Sequence, residues 1–343
     1  MNVRCTNPIL GSLLGTAVGD ALGLPYEGLS RRRVAAFGLA GHRFILGHGM
    51  LSDDTEHTLM VAAAWLENQN DTGRFQRAFA WKLRWWLLGL PAGVGLSTAK
   101  AIVKLWLGFP ASRSGVSSAG NGAAMRSAIL GVLLRDDPAK RREFALAACR
   151  VTHTDPRAEE SALLVAEAAA MAANGVSVEA VLETLQGFIS SDEMKARFAS
   201  LRAALASART VPEFAAEIGC ERGVSGFAPN TVAVALFAWL RHRHDFQTAV
   251  KSVISCGGDT DTVAAITGGI AGAEGGEAGI PEPWLAGICD WPRSVNHIRR
   301  VADELTRGSA RAPRVYWPFV LTRNIFFLVV VLLHGFRRLL PPY

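Results

Sequence analysis

Two short segments crowd carboxylates and hydroxyls together. The first is Ser52-Asp53-Asp54-Thr55, which leads into an apolar helical stretch over 57–66. The second is Gly257-Gly258-Asp259-Thr260-Asp261-Thr262, which leads into 263–273. Both lie where loop signals give way to helical periodicity. Ser, Asp and Thr are good N-caps, so simple capping of two helices is the plain alternative. A cap needs only one such residue, and adjacent carboxylates repel unless a cation or a proton relieves them. Asp53, Asp54, Asp259 and Asp261, with hydroxyl and carbonyl oxygens nearby, make a hard, all-oxygen ligand set. It suits Mg²⁺ or Mn²⁺ and disfavours Zn²⁺, which prefers His and Cys. About 200 residues separate the clusters, so the fold has to bring them together.

The elements that must do so read as helices. Residues 8–24 carry apolar residues at helical spacing, with Gly11, Gly15, Gly19 and Gly23 at every fourth position. That spacing lines the glycines along one face. Each costs about 1 kcal/mol relative to Ala in a helix interior, which points to a face pressed on another backbone. Asp20 and Pro25 make the stretch too short and too polar for a membrane span. Helices are predicted at 55–67, 74–88, 96–107, 123–134, 140–151, 157–173, 177–188 and 193–207. Four more follow at 229–241, 245–255, 261–273 and 297–306. Turn signals such as Asn70-Asp71-Thr72-Gly73 and Asn174-Gly175 separate them. No segment alternates like a strand. The expectation is one compact all-α domain over 1–308, with Trp81, Trp85 and Trp86 in the core or in a pocket wall.

The second cluster and His57 depart from the Asp-Asp-x-x-Asp pattern of prenyl-diphosphate synthases. The chain instead resembles the ADP-ribosylglycohydrolase family over about residues 8–306. Six motifs carry the resemblance, in order. They are Gly15-Thr-Ala-Val-Gly-Asp20-Ala-Leu-Gly, Pro25-Tyr26-Glu27, Ser52-Asp53-Asp54-Thr55, Gly120-Asn121-Gly122-Ala-Ala-Met125-Arg126, Thr152-His153-Thr154-Asp155 and the 257–262 cluster. One alone is weak, whereas six in this order are highly specific. The resemblance implies an all-α fold with a dinuclear Mg²⁺ or Mn²⁺ centre in a cleft. Ser52, Asp53, Asp54, Asp259, Asp261 and Thr262 then stand where the family has metal ligands, with Ser52 where it often has Thr.

The same resemblance implies a substrate side. Ser118, Gly120, Asn121 and Gly122 stand in the ADP-ribose-contacting loop, with Met125 just after it. Small residues there would let backbone N–H groups approach a diphosphate at the start of the helix near Ala123. A tight turn is the bland alternative. His153 would hydrogen-bond the diphosphate or the distal ribose, unless it is only a buried core histidine. Glu27 is similar to the family glutamate that closes over the metals. The implied reaction is hydrolysis of the C1″ bond between ADP-ribose and an acceptor, in a modified protein or a small molecule. A metal-bound water would attack, and Asp54 or Glu27 would take its proton. The acid and base roles stay open, and arginine is the leading acceptor by analogy. An ADP-ribose-binding or toxin-neutralising module with little turnover is the alternative, disfavoured by the intact acidic set.

Residues 309–343 differ from the rest. The tail holds five arginines and no acid, so the net charge of +6 falls to roughly +1 without it. General nucleic-acid binding is therefore not implied. The short run Arg31–Arg33 reads as a solvated loop. The uninterrupted apolar core at 325–333 is short for a span, which takes about 20 residues. Membrane contact through residues 315–338 and packing against the body are both open. Five scattered cysteines, no Cys-x-x-Cys and no signal-like start lead to the expectation of a cytoplasmic protein, with membrane association through the tail.

Overall fold

The computed structural model describes residues 7–39 and 41–338. Cys5 and the chain ends at 1–6 and 339–343 lie outside them. The described residues are mostly helical. Helices α1 (Pro8–Gly23), α2 (Arg31–Phe37), α3 (Asp53–Glu67), α4 (Thr72–Leu88), α5 (Leu96–Trp106) and α6 (Ala128–Leu133) come first. Then follow α7 (Pro138–Arg150), α8 (Pro156–Ala173), α9 (Val178–Gln186), α10 (Asp192–Ala206), α11 (Val211–Glu217) and α12 (Ala228–Arg241). The last are α13 (Phe246–Ile254), α14 (Thr260–Gly275), α15 (Glu282–Ala286), α16 (Val295–Thr306) and α17 (Trp317–Arg337). Side-chain caps account for many of the starts: Asn7, Ser52, Asp71, Asp155 and Ser294 each accept a backbone N–H of the helix they precede.

The glycine face of α1 packs on α14. A Cβ at Gly11, Gly15, Gly19 or Gly23 would collide with the α14 backbone at Gly272, Gly268, Ala264 and Thr260 in turn. The descending order of partners makes the two helices antiparallel. Gly268 and Gly272 return the same close approach to α1. Thr260 Oγ1 donates to Gly23 O at 2.8 Å and locks the C-terminal end of α1 to the start of α14. This pair is buried along nearly its whole length, with α8 and α12 against α14 and with α3 against α1.

Several expectations are corrected. Residues 31–33 begin helix α2 rather than a loop, and Arg31 Nη1 donates to Pro212 O at 3.1 Å. The short helices α11 and α15 carry too few turns to show a period, and α11 is set by a capping box between Thr210 and Glu213. The helix expected at 123–134 divides into a 3₁₀ turn, Ala124–Arg126, and the short α6. Buried Arg126 turns back on the preceding loop and donates to Gly122 O there. A two-stranded antiparallel ribbon, β1 (Leu29–Ser30) with β2 (Gly257–Gly258), had no sequence signature. The left-handed φ values of Gly257 and Gly258, 73° and 85°, explain why glycine stands at both positions. The expectation for the three tryptophans is met: Trp86 is buried, Trp81 and Trp85 are about half exposed, and all three line one cavity wall.

The tail is one 21-residue helix, longer than its uninterrupted apolar core, and α17 is long and apolar enough to cross a membrane by length and composition. Its inner face is nevertheless anchored on the body. Arg323 pairs with Asp290, both nearly fully buried, and donates to Leu51 O. Asn324 Nδ2 donates to Gly89 O at 2.8 Å, and Phe327 and Val330 pack with Leu24, Phe44 and Met50.

Because the α1–α14 contact leaves no room for a side chain, Gly15→Val should destabilise the fold by about 3 kcal/mol or more in urea titration. Gly73→Ala, in an open position on α4, should instead raise stability by about 0.5 kcal/mol.

Candidate active site

The acidic residues gather at the end of the α1–α14 pair. Asp20, fully buried near the end of α1, accepts from Ser52 N at 2.9 Å and Thr55 N at 3.2 Å. It also accepts from Thr55 Oγ1 at 2.5 Å. A carboxylate of α1 thus holds the positive end of α3 and sets the Ser52–Asp54 segment. Burial outweighs these hydrogen bonds and pushes the Asp20 pKa up to about 6. Sequence reasoning missed this role of Asp20. Its signal was a lone acid on a helix of glycines and aliphatics.

The two clusters meet. Ser52 Oγ donates to Asp54 Oδ2 at 3.1 Å, and Thr262 Oγ1 approaches the same oxygen at 3.4 Å. The other oxygen, Asp54 Oδ1, is buried with no hydrogen-bond partner. Asp259 Oδ2 accepts from Asn121 Nδ2 at 2.7 Å. Gly28 N donates to Gly258 O at 2.7 Å, so the ribbon ties the Glu27 turn to the Asp259 loop. Burial raises the pKa of Asp53, Asp54 and Asp261 well above the usual carboxylate range, and neighbouring carboxylates raise it further. Glu27 is an exposed residue, yet its carboxyl faces the cleft. Desolvation there and the charge of Asp259 raise its pKa, and the Arg338 guanidinium opposes them. Crowded oxygens, buried like charges and an orphaned Asp54 oxygen fit a hard divalent cation. Among the described residues no three His, Cys, Asp or Glu side chains are grouped so as to hold a metal ion by themselves.

Two cavities flank this cluster and share Glu27, Asp53, Gly93 and Asp261. The first, of about 280 Å³, is polar and is lined by Gly120, Asn121, Gly122, Met125, His153, Asp259 and Thr262. It also takes in Ser97 and Thr98 from the start of α5, which sequence reasoning missed. The second, of about 150 Å³, is bounded by Ser52, Phe44 and side chains of α17. Glu27 reaches both cavities. Asp54 lines neither and is 1 % exposed.

The glycine loop departs from the helix-start picture. The loop runs into the 3₁₀ turn, and Asn121 N is engaged by Gly226 O. Ser118 hydrogen-bonds Ser97 Oγ at 2.8 Å and does not line the cavity. The Asn121 side chain orients Asp259. His153 is held from behind: Arg126 Nη2 donates to Thr152 Oγ1 at 2.5 Å, and Thr152 Oγ1 lies 2.8 Å from His153 Nδ1. The nearer partner for the threonine proton is Nδ1, which assigns the neutral Nε2–H tautomer and a donor beside Gly120. Burial, with Arg126 close by, pushes the His153 pKa down to about 3, so this donor is uncharged.

Comparisons with known proteins give the family. The family model for ADP-ribosylglycohydrolase matches residues 1–314. The chain belongs to the ADP-ribosylglycohydrolase family. It is 28% identical to an ADP-ribosylarginine hydrolase of Pseudomonas putida, covering 89% of this chain and 78% of that protein. It is 26% identical to the ADP-ribosyl-[dinitrogen reductase] glycohydrolase of Rhodospirillum rubrum, covering 86% and 94%. A solved ADP-ribosylglycohydrolase-related protein complex superposes with a TM-score of 0.69 at 29% identity, covering 88% of this chain and 98% of that one. The chain is thus an ADP-ribosylglycohydrolase enzyme, and α17 begins beyond the family match.

Asp53→Asn removes one of the buried like charges. In chelator it should raise the melting temperature by several degrees. Millimolar Mg²⁺ or Mn²⁺ should stabilise the wild type more than this variant, and calorimetry with and without cation reads both effects.

Proposed function

We propose that this ADP-ribosylglycohydrolase is a divalent-cation-dependent hydrolase of ADP-ribosyl-arginine. The observation that carries the proposal is the meeting of the two acidic clusters at the junction of two cavities. The polar cavity takes the ADP-ribose. The neutral Nε2–H of His153 and the Ser97–Thr98 start of α5 face its diphosphate. Ser52, Asp53, Asp54, Asp259, Asp261 and Thr262 are the residues to hold two cations, Mg²⁺ or Mn²⁺. When bound, such cations supply positive charge at the ribose hydroxyls and a water of lowered pKa. Glu27 lies at the junction and carries the proton: water oxygen bonds to C1″ and the bond from C1″ to the acceptor breaks. The acceptor leaves with a proton, giving free ADP-ribose. Asp54, set back from both cavities, serves as a ligand rather than as the proton carrier. The name of the Pseudomonas relative supports arginine as the acceptor.

Release of ADP-ribose from arginine-modified protein should require Mg²⁺ or Mn²⁺, stop in EDTA and fall at least about 100-fold in Asp54→Asn. His153→Ala should weaken ADP-ribose binding about tenfold by calorimetry, the loss of one hydrogen bond to a charged group. Tight binding of ADP-ribose with no release from arginine, serine or small acceptors would favour the binding module.

The membrane contact at 315–338 has separate support. The outer face of α17 exposes Phe319, Ile325, Leu332, Leu333 and Phe336, each more than half exposed. With the inner face anchored through Arg323 and Asn324, such a helix would lie in the plane of the interface rather than cross it. The full chain should float with anionic vesicles, and Leu332→Glu/Leu333→Glu should stay at the bottom of the gradient.

A further inference from the structure

The second cavity has a wall that the family match does not include. Four residues of α17, Phe327, Val331, His334 and Gly335, line it together with the C-cap residue Arg338. They face Glu27, Asp53 and Asp261 from the opposite side. The helix is held there firmly. The buried Arg323–Asp290 pair ties it to the segment before Ser52, because Asp290 Oδ2 also accepts from Leu51 N at 2.8 Å. At its far end Arg338 donates to Pro25 O at 2.9 Å and to Glu27 O at 2.7 Å, and His334 Nε2 lies 3.1 Å from Pro25 O. The same turn that carries Glu27 is therefore clasped by α17.

We infer that α17 builds the acceptor subsite of the enzyme and restricts it to slender acceptors, a single extended side chain or a small molecule. The inference rests on the hydrolase reading above. The scissile bond has to lie at the shared acidic residues. With ADP-ribose in the polar cavity, the leaving group points into the other one. That space is about 150 Å³, against about 280 Å³ on the donor side. It has no room for a folded surface or a nucleic-acid duplex. Phe44 and Phe327 line it and supply apolar surface for an alkyl stem.

Gly335 gives a clean test. It lies within α17, lines the cavity, and a Cβ there meets nothing within 4 Å, so Gly335→Trp adds an indole at the cavity wall without disturbing the helix packing. Deleting α17 would instead strand Asp290 without its buried partner. Gly335→Trp should lower kcat/KM for ADP-ribosyl-arginine at least tenfold, with the loss carried mainly by KM. The Kd for free ADP-ribose, which occupies only the donor cavity, should stay within twofold. Gly73→Ala, at a position that lines neither cavity, should match the wild type. Val331→Ala, which widens the space, should raise the rate on ADP-ribosylated folded protein relative to free ADP-ribosyl-arginine. Unchanged kcat/KM in Gly335→Trp on every acceptor, with the wild type active, overturns the subsite and leaves the hydrolase standing. A wild type that binds ADP-ribose but releases none overturns the hydrolase reading and this inference with it.

Discussion

The α1–α14 contact governs the rest of the molecule. Two helices touch backbone to backbone because glycine repeats every fourth residue on α1 and meets Gly268 and Gly272 on α14. Close approach removes any play in the pair, since a rotation or slide of either helix would drive Cα atoms into carbonyl oxygens. The end of α1 and the start of α14 are consequently fixed against each other. That end carries Asp20 on one helix and Asp261 and Thr262 on the other. Asp20 then reaches across to α3 and holds Ser52 and Thr55 by their backbone N–H groups. Residues distant in the chain thereby acquire positions relative to one another without help from flexible loops.

Such an arrangement works against stability at the site. Asp53, Asp54 and Asp261 sit where burial first, and neighbouring carboxylates second, raise their pKa, and Asp54 keeps an oxygen without a partner. A core under no demand but stability would fill this space with apolar side chains. Burying paired or crowded carboxylates in their place is favourable only when something positive answers them. Glu56, on the same first turn of α3, has such an answer within the chain. It pairs with Arg293 and accepts from Trp86 Nε1 at 2.6 Å. Glu56 is thus neutralised by the protein, whereas among the described residues no cation of the chain bonds Asp53 or Asp54.

The tail carries two unlike faces on one helix. Its inner face is polar where it must be, at Arg323 and Asn324, and apolar at Phe327 and Val330. Its outer face is apolar and open. A helix docked by a buried ion pair is part of the body rather than an appendage, because separating the pair would leave a charge without solvent or partner. Its last turn reaches the rim of the cleft, so whatever covers the outer face lies one helix diameter from the acceptor side.

The helical class, the glycine face of α1 and the two acidic clusters were legible from the chain alone. Helical periodicity, i+4 glycine spacing and runs of like charge are local patterns, and local patterns survive folding unchanged. His153 and the Gly120–Gly122 loop were legible only through the family resemblance, because taken alone they read as a buried histidine and a tight turn. Tertiary structure decided the rest. It set Asp54 back from both cavities while Glu27 reaches each, and it turned the Asn121 side chain toward Asp259 rather than into open space. It broke the helix expected at 123–134, because Arg126 is drawn to Gly122 O, Ala148 O and Thr152 Oγ1. It also brought α17 over the cleft through Asp290, a residue with no local signal. Each of these depends on which distant group fills a donor, an acceptor or a void. Only the packed chain supplies that partner.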